Sequence, residues 1–456
     1  MISPITTIAR NTLIESVRQP VFLVIVLVAA LLQVLNTWIT GFSMGYRRVP
    51  GEVTGDDKLL LDVGLSTVFV CGMLLAAFIA TSAISREIEN KTILTVVSKP
   101  IGRTSVILGK YLGISGALSI AVYLMLLGLL LGIRHGVLST AADDPDQPVI
   151  IFSMIAVFGS LFIAAVTNFM YGWQFGQTTV VALVPLLTLA FLGVLLIDED
   201  WKVQAITTDL KPQIMLAGAG MAIALMVLAA VATAASTRLG QVMTITVCAG
   251  VFVLGLLSNH FVGRYAYLNT PIGEVDRAEA DSLLSDSFAT MGSVYRITVP
   301  REYTAELEVG DVLYYGPAPN GVGMSVPHYS PDFDASTMNL EDTRWPAGTP
   351  GAVVITAIDP GNLLLTLKNV GNPPVAVREA PQPGNFLFTQ PTVVNPWARV
   401  VWGVVPNMQV FWLIDAVSQA RDIPPSHIGL VALYGLSQVV GMLAIAVLLF
   451  QTRDVG

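Results

Sequence analysis

The sequence predicts an α-helical polytopic membrane protein of about eight transmembrane helices, with an inserted β-rich extracytoplasmic domain. Three observations predict it. Of 456 residues, 54% are hydrophobic and only 12% charged, about half the charged share of a soluble domain. Eight apolar runs reach the roughly 20 residues needed to cross about 30 Å of hydrocarbon; they lie at 21–40, 64–84, 107–132, 149–171, 177–197, 213–236, 240–259 and 428–450. Between the seventh and the eighth, the composition turns rich in Pro, Gly and Asp.

Residues 1–20 read as an amphipathic N-terminal interfacial helix. Ile5, Ile8, Ala9, Leu13 and Val17 recur at near-helical spacing, with Arg10, Asn11, Glu15 and Arg18 between them. Pro20 breaks that helix at the mouth of the first run. The first run lacks the short core and small-residue cleavage site of a secretory signal, so it reads as a retained span.

Residues 21–259 hold spans one to seven. Cys71 and Cys248 fall inside apolar runs, where a cysteine is a small core residue before it is a disulfide or metal ligand. "AVTNFMYGWQFGQTTVVALV" from Ala165 is similar to "AAVATAASTRLGQVMTITVC" from Ala229, aligning Gly176-Gln177 with Gly240-Gln241. Either four spans form two related hairpins, or small-residue helices resemble one another by chance. "GKYLG" (109–113) and "GLLLG" (128–132) have the spacing of close helix packing. Asn168, Tyr171, Trp173 and Gln174 form a polar-aromatic elbow between spans four and five. It reads as an interfacial elbow, or as a cytoplasmic gate or second partner contact.

Residues 260–396 carry short β-like runs at 294–299, 312–316, 352–358, 363–370 and 385–389, with a turn at "DPGN" (359–362). They predict one β-rich domain whose topology the pattern leaves open. Residues 397–427 are too interrupted by Pro406 and Asp415 to span; Trp397, Trp402, Phe411 and Trp412 suit outer interfacial helices. Residues 428–450 form the last span and 451–456 the cytoplasmic tail.

Eight spans starting in the cytoplasm return the C-terminus there. The inner segments then carry nine Lys and Arg against four Asp and Glu, in a chain of net charge −8. Dense inner basic charge is the expected bias, and it leaves 260–396 outside. This places the chain in the cytoplasmic membrane.

Several functions are excluded. Gly102 and Gly109-Lys110 do not make a P-loop: six residues separate the glycines where four are needed, and Tyr111 stands where Ser or Thr should be. No acidic or basic residue lies near mid-membrane, which argues against an ion-coupled carrier. No HExxH or Gly-x-Ser-x-Gly supports a hydrolase. His135, His260, His328 and His427 have no ligand spacing, and acid clusters at 143–146, 198–200 and 332–334 read as solvated loops. No catalytic residue, metal, cofactor or nucleic-acid partner is expected in this chain.

The informative stretch is "SREIENKTILTVVSKPIGRTSVILGK", Ser85–Lys110. Its acids and bases cannot sit in lipid, so the second span ends near Ser85. Ile88, Thr92, Leu94 and Val96 give one apolar side to a short helix over 86–99, and Lys99-Pro100 ends it. Such a helix can receive a push from a soluble partner; the plain alternative is a positively charged loop.

"ENKTILTVVSKPIGR" followed by "GKYLG" resembles the signature of ABC-2 type permeases, the membrane subunits of ATP-driven exporters, and lies near the copper-enzyme maturation group. The matching positions are Glu87, Glu89, Thr92, Lys99, Pro100, Ile101, Arg103, Gly109 and Lys110. The closing F-x-x-R-D and the stretch 236–258 are also similar. The chain departs from the usual six spans by an extra hairpin and the large insertion. The resemblance implies a type V exporter-like dimer, of itself or with a paralogue, in membrane lipid. It implies a separate cytoplasmic P-loop ATPase that holds the ATP and Mg. A cytoplasmic coupling helix would dock on it through Arg86, Glu87, Ile88, Glu89, Asn90, Lys91 and Thr92. Lys99, Pro100, Arg103, Gly109 and Lys110 form the motif after it. Export or extrusion is the expected activity, with an envelope protein binding 260–396 as the alternative use of the stroke.

Overall fold

Four of the long helices open on proline in their first turn, where the missing N–H would have had no helical partner anyway. The computed structural model describes residues 2–40, 55–89, 102–137, 145–280, 288–300, 307–359, 361, 363–418 and 423–452. They fall into two units, Met1–Leu256 with Pro406–Gly456, and Leu257–Val405.

The first unit is helical. Its elements are α1 (Ile2–Arg18), α2 (Pro20–Ile39), α3 (Gly55–Ala80), a π turn at Thr81–Ser85, α4 (Arg86–Glu89), α5 (Arg103–His135), α6 (Gln147–Tyr171), α7 (Phe175–Leu196), α8 (Pro212–Ser236) and α9 (Gln241–Leu256). Among the described residues, seven helices are long and apolar enough to cross a membrane. The expected run 240–259 differs: α9 has 16 residues and qualifies only together with Asn259–Ala266. The expected start of the second span at 64 also moves. Nothing between Gly55 and Gly64 breaks a helix, so α3 begins at Gly55.

Burial ranks the spans. In α8, 67% of the span is buried inside the protein, so it is the central rod; in α6 only 22% is, so it lies at the periphery. α8 can be central because Ala217, Ala224, Ala229, Ala230 and Ala232 are small enough for neighbours on every side. α2 and α3 are joined by polar groups. The Gln33 amide donates to the Gly64 carbonyl at 2.8 Å and the Asn36 amide to the Leu60 carbonyl at 2.8 Å. Gly64 leaves room for these amides: a Cβ there would stand 3.1 Å from Gln33 Oε1 and 3.3 Å from Asn36 Nδ2.

α1 packs along α5 rather than against lipid alone. A Cβ on Gly113 would lie 2.6 Å from the Ala9 carbonyl and 2.6 Å from Thr12, and one on Gly109 would lie 2.8 Å from Ile8. The GKYLG spacing therefore serves a seam inside one chain, whereas Gly128 has open space around it. This also buries Thr12 and Ser16, whose hydroxyl returns to the Thr12 carbonyl at 2.6 Å.

The segment expected to lie on the outer surface is partly buried instead. Met408, Phe411 and Ile414 enter the helical core. Gly220, Gly255 and Gly435 leave the room, with Cβ positions 3.1 Å from the Phe411 carbonyl, 2.6 Å from Met408 and 3.3 Å from the Phe411 ring. The Tyr434 hydroxyl accepts from the Asn407 amide at 2.8 Å. The unit ends with α13 (Pro425–Gln451), after α12 (Ile414–Ser418).

The second unit holds two short helices, α10 (Arg264–Ala266) and α11 (Pro396–Val404), and strands β1 (Tyr267–Leu268), β2 (Gly273–Glu274), β3 (Arg277–Ala280), β4 (Val294–Thr298), β5 (Tyr314–Gly316), β6 (Thr349–Asp359), β7 (Leu364–Asn372), β8 (Phe386–Phe388) and β9 (Val393–Val394). Among the described residues, three open antiparallel sheets result, in orders β3-β4-β7-β6, β2-β8-β5 and β1-β9. Successive side chains on a strand point to opposite faces. Val353 and Ile355 accordingly join one core with Ile297, Leu365 and Leu367, while Ala352 and Val354 join another with Trp345 and Val370. Asn369, fully buried, is saturated: it donates to the Phe288 and Val375 carbonyls and accepts from the Val375 amide.

Candidate functional site at the Lys110 end of the helical unit

The second span changes pitch as it leaves the bundle. In the π turn the Arg86 amide bonds to the Thr81 carbonyl, five residues back. Such a turn shifts carbonyls off the regular ladder, and single π turns recur at functional positions. The Ala83 carbonyl accepts from Lys110 Nζ at 2.5 Å, and the Glu87 carboxylate accepts from the same ammonium at 2.6 Å. The Lys110 side chain is 5% exposed and that of Glu87 24%. An ammonium so buried would cost several kcal/mol if left alone; a carboxylate and a carbonyl take its hydrogens. Ile88, one residue on, is buried in the helical core, while Arg86 is exposed. The start of the predicted coupling helix is therefore fastened to both the second and third spans.

Around this pair lie further cross-links. The Gln19 amide donates to the Ser82 hydroxyl, joining the α1–α2 break to the π turn. Arg18 Nε donates to Gln177 Oε1 at 2.7 Å, and Arg86 Nη2 to Gln241 Oε1 at 3.5 Å. Gln177 and Gln241 are the aligned positions of the two hairpins, α6–α7 and α8–α9. Each stands in the first turn of its hairpin's second helix and accepts from an arginine.

The last helix ends at the same side. Its final carbonyls lack intrahelical donors and carry the negative end of the helix dipole. Arg103 Nη1 donates to the Gln451 carbonyl at 2.8 Å and lies over the Phe450 ring, 5.9 Å from its centroid. Arg238 donates to the Leu449 carbonyl at 3.1 Å and to the Thr452 hydroxyl at 2.6 Å. Two arginines thus tie the start of α5 and the end of α8 to the end of α13.

The opposite end is organised by one cation among acids. Arg134, 10% exposed, lies 2.7 Å from Asp146, 2.8 Å from Asp209, 3.2 Å from Glu199 and 3.7 Å from Asp198. Asp146 also caps α6, accepting from the Val149 amide at 3.1 Å. The acid clusters that read as solvated loops are therefore partly corrected: Asp146, Asp198 and Glu199 close around Arg134, because its guanidinium can serve several carboxylates at once. Asp143 and Asp144 lie outside the described residues.

Of the predicted positions, Glu87 and Lys110 are brought together. Arg103 caps α13, Gly109 faces α1, and Glu89 ends α4. Asn90, Lys91, Thr92, Lys99 and Pro100 lie outside the described residues. Sequence reasoning put Arg238 among the inner-side bases and Phe450 in the closing F-x-x-R-D without their contacts, and missed Gln19, Ser82 and Gln241 as members of this end. The repeated Gly-Gln pair was the one signal available for Gln241; the others come from elements over 60 residues apart and carry no local pattern.

Residues 61–260 match the family described as ABC-2 family transporter protein. Comparison with curated proteins and with solved structures finds no match. The matched segment contains the π turn, the Glu87–Lys110 pair and both hairpins. Over residues 61–260, therefore, this multi-pass membrane chain is similar to ABC-2 family transporter proteins.

Proposed function

We propose that the chain is the permease subunit of an ATP-driven transporter, coupling hydrolysis by a separate P-loop ATPase to export across, or extrusion from, the cytoplasmic membrane. The observation that carries this reading is the Lys110 ammonium held by both Glu87 and the Ala83 carbonyl. A push on residues 86–99 has a stiff route into two spans at once, and packed helices answer such pushes by rigid shifts. Arg18, Arg86, Arg103, Lys110 and Arg238 gather at that end, in keeping with a cytoplasmic face. On this reading both termini are cytoplasmic, residues 260–396 are extracytoplasmic, and the working unit is a dimer.

The test is affinity purification of the full chain from native membrane. A stoichiometric P-loop ATPase is expected, lost in Glu89→Lys with the permease still folded. Glu89 is the better choice because Glu87→Lys would also face Lys110 with a like charge. Recovery of folded permease without any ATPase under gentle detergent would overturn the proposal. So would labelling of single cysteines at 91 or 99 only from outside intact cells.

A second reading keeps the coupling and changes the output. The Leu257–Val405 unit has two hydrophobic cores of its own, enough to act as a binding module. The ATPase stroke would then drive an envelope partner. Crosslinking from 260–396 to such a protein, without substrate flux in vesicles, would select it.

A further inference from the structure

Beside the Arg18–Gln177 bond lies a half-open cavity of about 490 Å³, lined by Arg18, Gly172, Trp173, Gln174, Gln177, Thr178 and Val181. It belongs to the α6–α7 elbow, not to the Glu87–Lys110 pair, and its chemistry does not depend on the proposed function.

The elbow is built rather than loose. Gly172 takes a left-handed conformation, φ 68°, and its amide closes α6 on the Asn168 carbonyl; the Asn168 side chain then donates to the Trp173 carbonyl at 2.5 Å. That fold places Trp173 at the cavity's rim, paired with Tyr171 at 6.0 Å between ring centroids. Phe169, Tyr171 and Trp173 are 92%, 67% and 57% exposed. Aromatic side chains exposed together at the end of a spanning helix belong at the membrane–water boundary. One turn deeper, Val181 is exposed on the apolar side of the same cavity.

The lining is therefore mixed: Val181 is aliphatic, Trp173 aromatic, and the rest supplies amides, a hydroxyl and an arginine. Gln177 fixes the guanidinium through Nε, and among the described residues no carboxylate pairs with Arg18. A guanidinium without a carboxylate favours a phosphate, which it can engage through two parallel bonds. The volume is more than ten times the roughly 30 Å³ share of one water, so a bare inorganic phosphate leaves most of it unfilled. Exposed Val181, beside exposed Phe169 and Tyr171, suits an acyl chain better than a polar protein surface.

We infer that this cavity binds the phosphodiester headgroup of an anionic phospholipid from the leaflet on the Arg18 side, Arg18 taking the phosphate and Trp173 the glycerol region.

The test uses the full chain in nanodiscs of phosphatidylcholine with one fifth phosphatidylglycerol. Lipids retained after detergent extraction are counted by native mass spectrometry. Wild type is expected to retain phosphatidylglycerol, Arg18→Gln to retain roughly fivefold less for one lost cation, and Arg18→Lys to recover part of the loss. Arg277→Gln, in the β-rich unit, is expected to match wild type. Equal retention by Arg18→Gln and wild type overturns the site. Displacement of the retained lipid by millimolar inorganic phosphate overturns the lipid in favour of a free anion. Unchanged retention with loss of a co-purifying protein in Arg18→Gln overturns it in favour of a protein contact. A matched melting temperature for Arg18→Gln and wild type shows that the comparison is between folded chains.

Discussion

Lys110 Nζ lies 2.6 Å from the Glu87 carboxylate, across 23 residues of chain and between two spans. One partner is nearly dry and the other is reached by water. The pair is therefore worth more than a surface ion pair and less than one wholly enclosed.

Removing only the acceptor's partner should expose that difference. Lys110→Met is expected to lower stability by roughly 2–4 kcal/mol, because Glu87 and the Ala83 carbonyl both lose their donor. Glu87→Gln, which leaves the nearly dry Lys110 ammonium without its counter-charge, is expected to cost at least as much. The double variant is expected to lie closer to wild type than Lys110→Met alone. Melting of the purified chain in one detergent measures all three; additive losses would mean that the two residues are not coupled.

The glycine seam between α1 and α5 gives a steric prediction. Gly113→Leu must displace backbone atoms of Ala9 and Leu13, and overpacking of this kind costs about 1–3 kcal/mol. Gly128→Leu meets open space and is expected to be near neutral. Protease access to residues 1–18 should rise in the first variant and stay at the wild-type level in the second.

At the other end, Arg134→Gln leaves Asp146 buried without its cation. A cost of roughly 2–4 kcal/mol is expected, nearly all from Asp146 and Asp209, since exposed arms such as Glu199 contribute little. Hydrogen exchange should quicken at 145–150 and 198–209. Glu199→Gln alone should leave those amides as protected as in wild type.

In the β-rich unit, burial pushes the Lys368 ammonium below the ordinary lysine value, against the opposing pull of Asp342 and Glu341. Its folded value is depressed, so the unfolded chain binds the proton more tightly. Stability is then greatest above the ordinary lysine range and falls as pH drops through the folded value. Lys368→Met is expected to flatten that dependence, with some loss of the bonds to the Leu340 and Glu341 carbonyls and of the Trp345 contact. Exchange protection across 352–370 in the full chain, corrected for intrinsic rates, between pH 8 and 10.5 is the measurement. An identical slope in the variant would remove Lys368 as the cause.

The local chemistry of the chain was legible from the sequence alone. Apolar length marked the spans, because backbone in hydrocarbon must satisfy itself within one helix. Short β-like runs marked β4, β5, β6, β7 and β8, and Pro20 marked the break between α1 and α2. The order of short motifs pointed to the ABC-2 permease type before any contact was known. Glu87 and Lys110 were legible as members of that signature, but not as a bonded pair. What only the tertiary structure decided were the partners. Gly109 and Gly113 receive α1, Gly220, Gly255 and Gly435 receive Met408 and Phe411, Arg103 and Arg238 converge on the end of α13, and Arg134 gathers acids from two loops. Composition and period report what a segment does to water and lipid. They are blind to which distant segment fills a gap or answers a charge, because that depends on how whole rods cross, and crossing is settled by packing across the entire bundle.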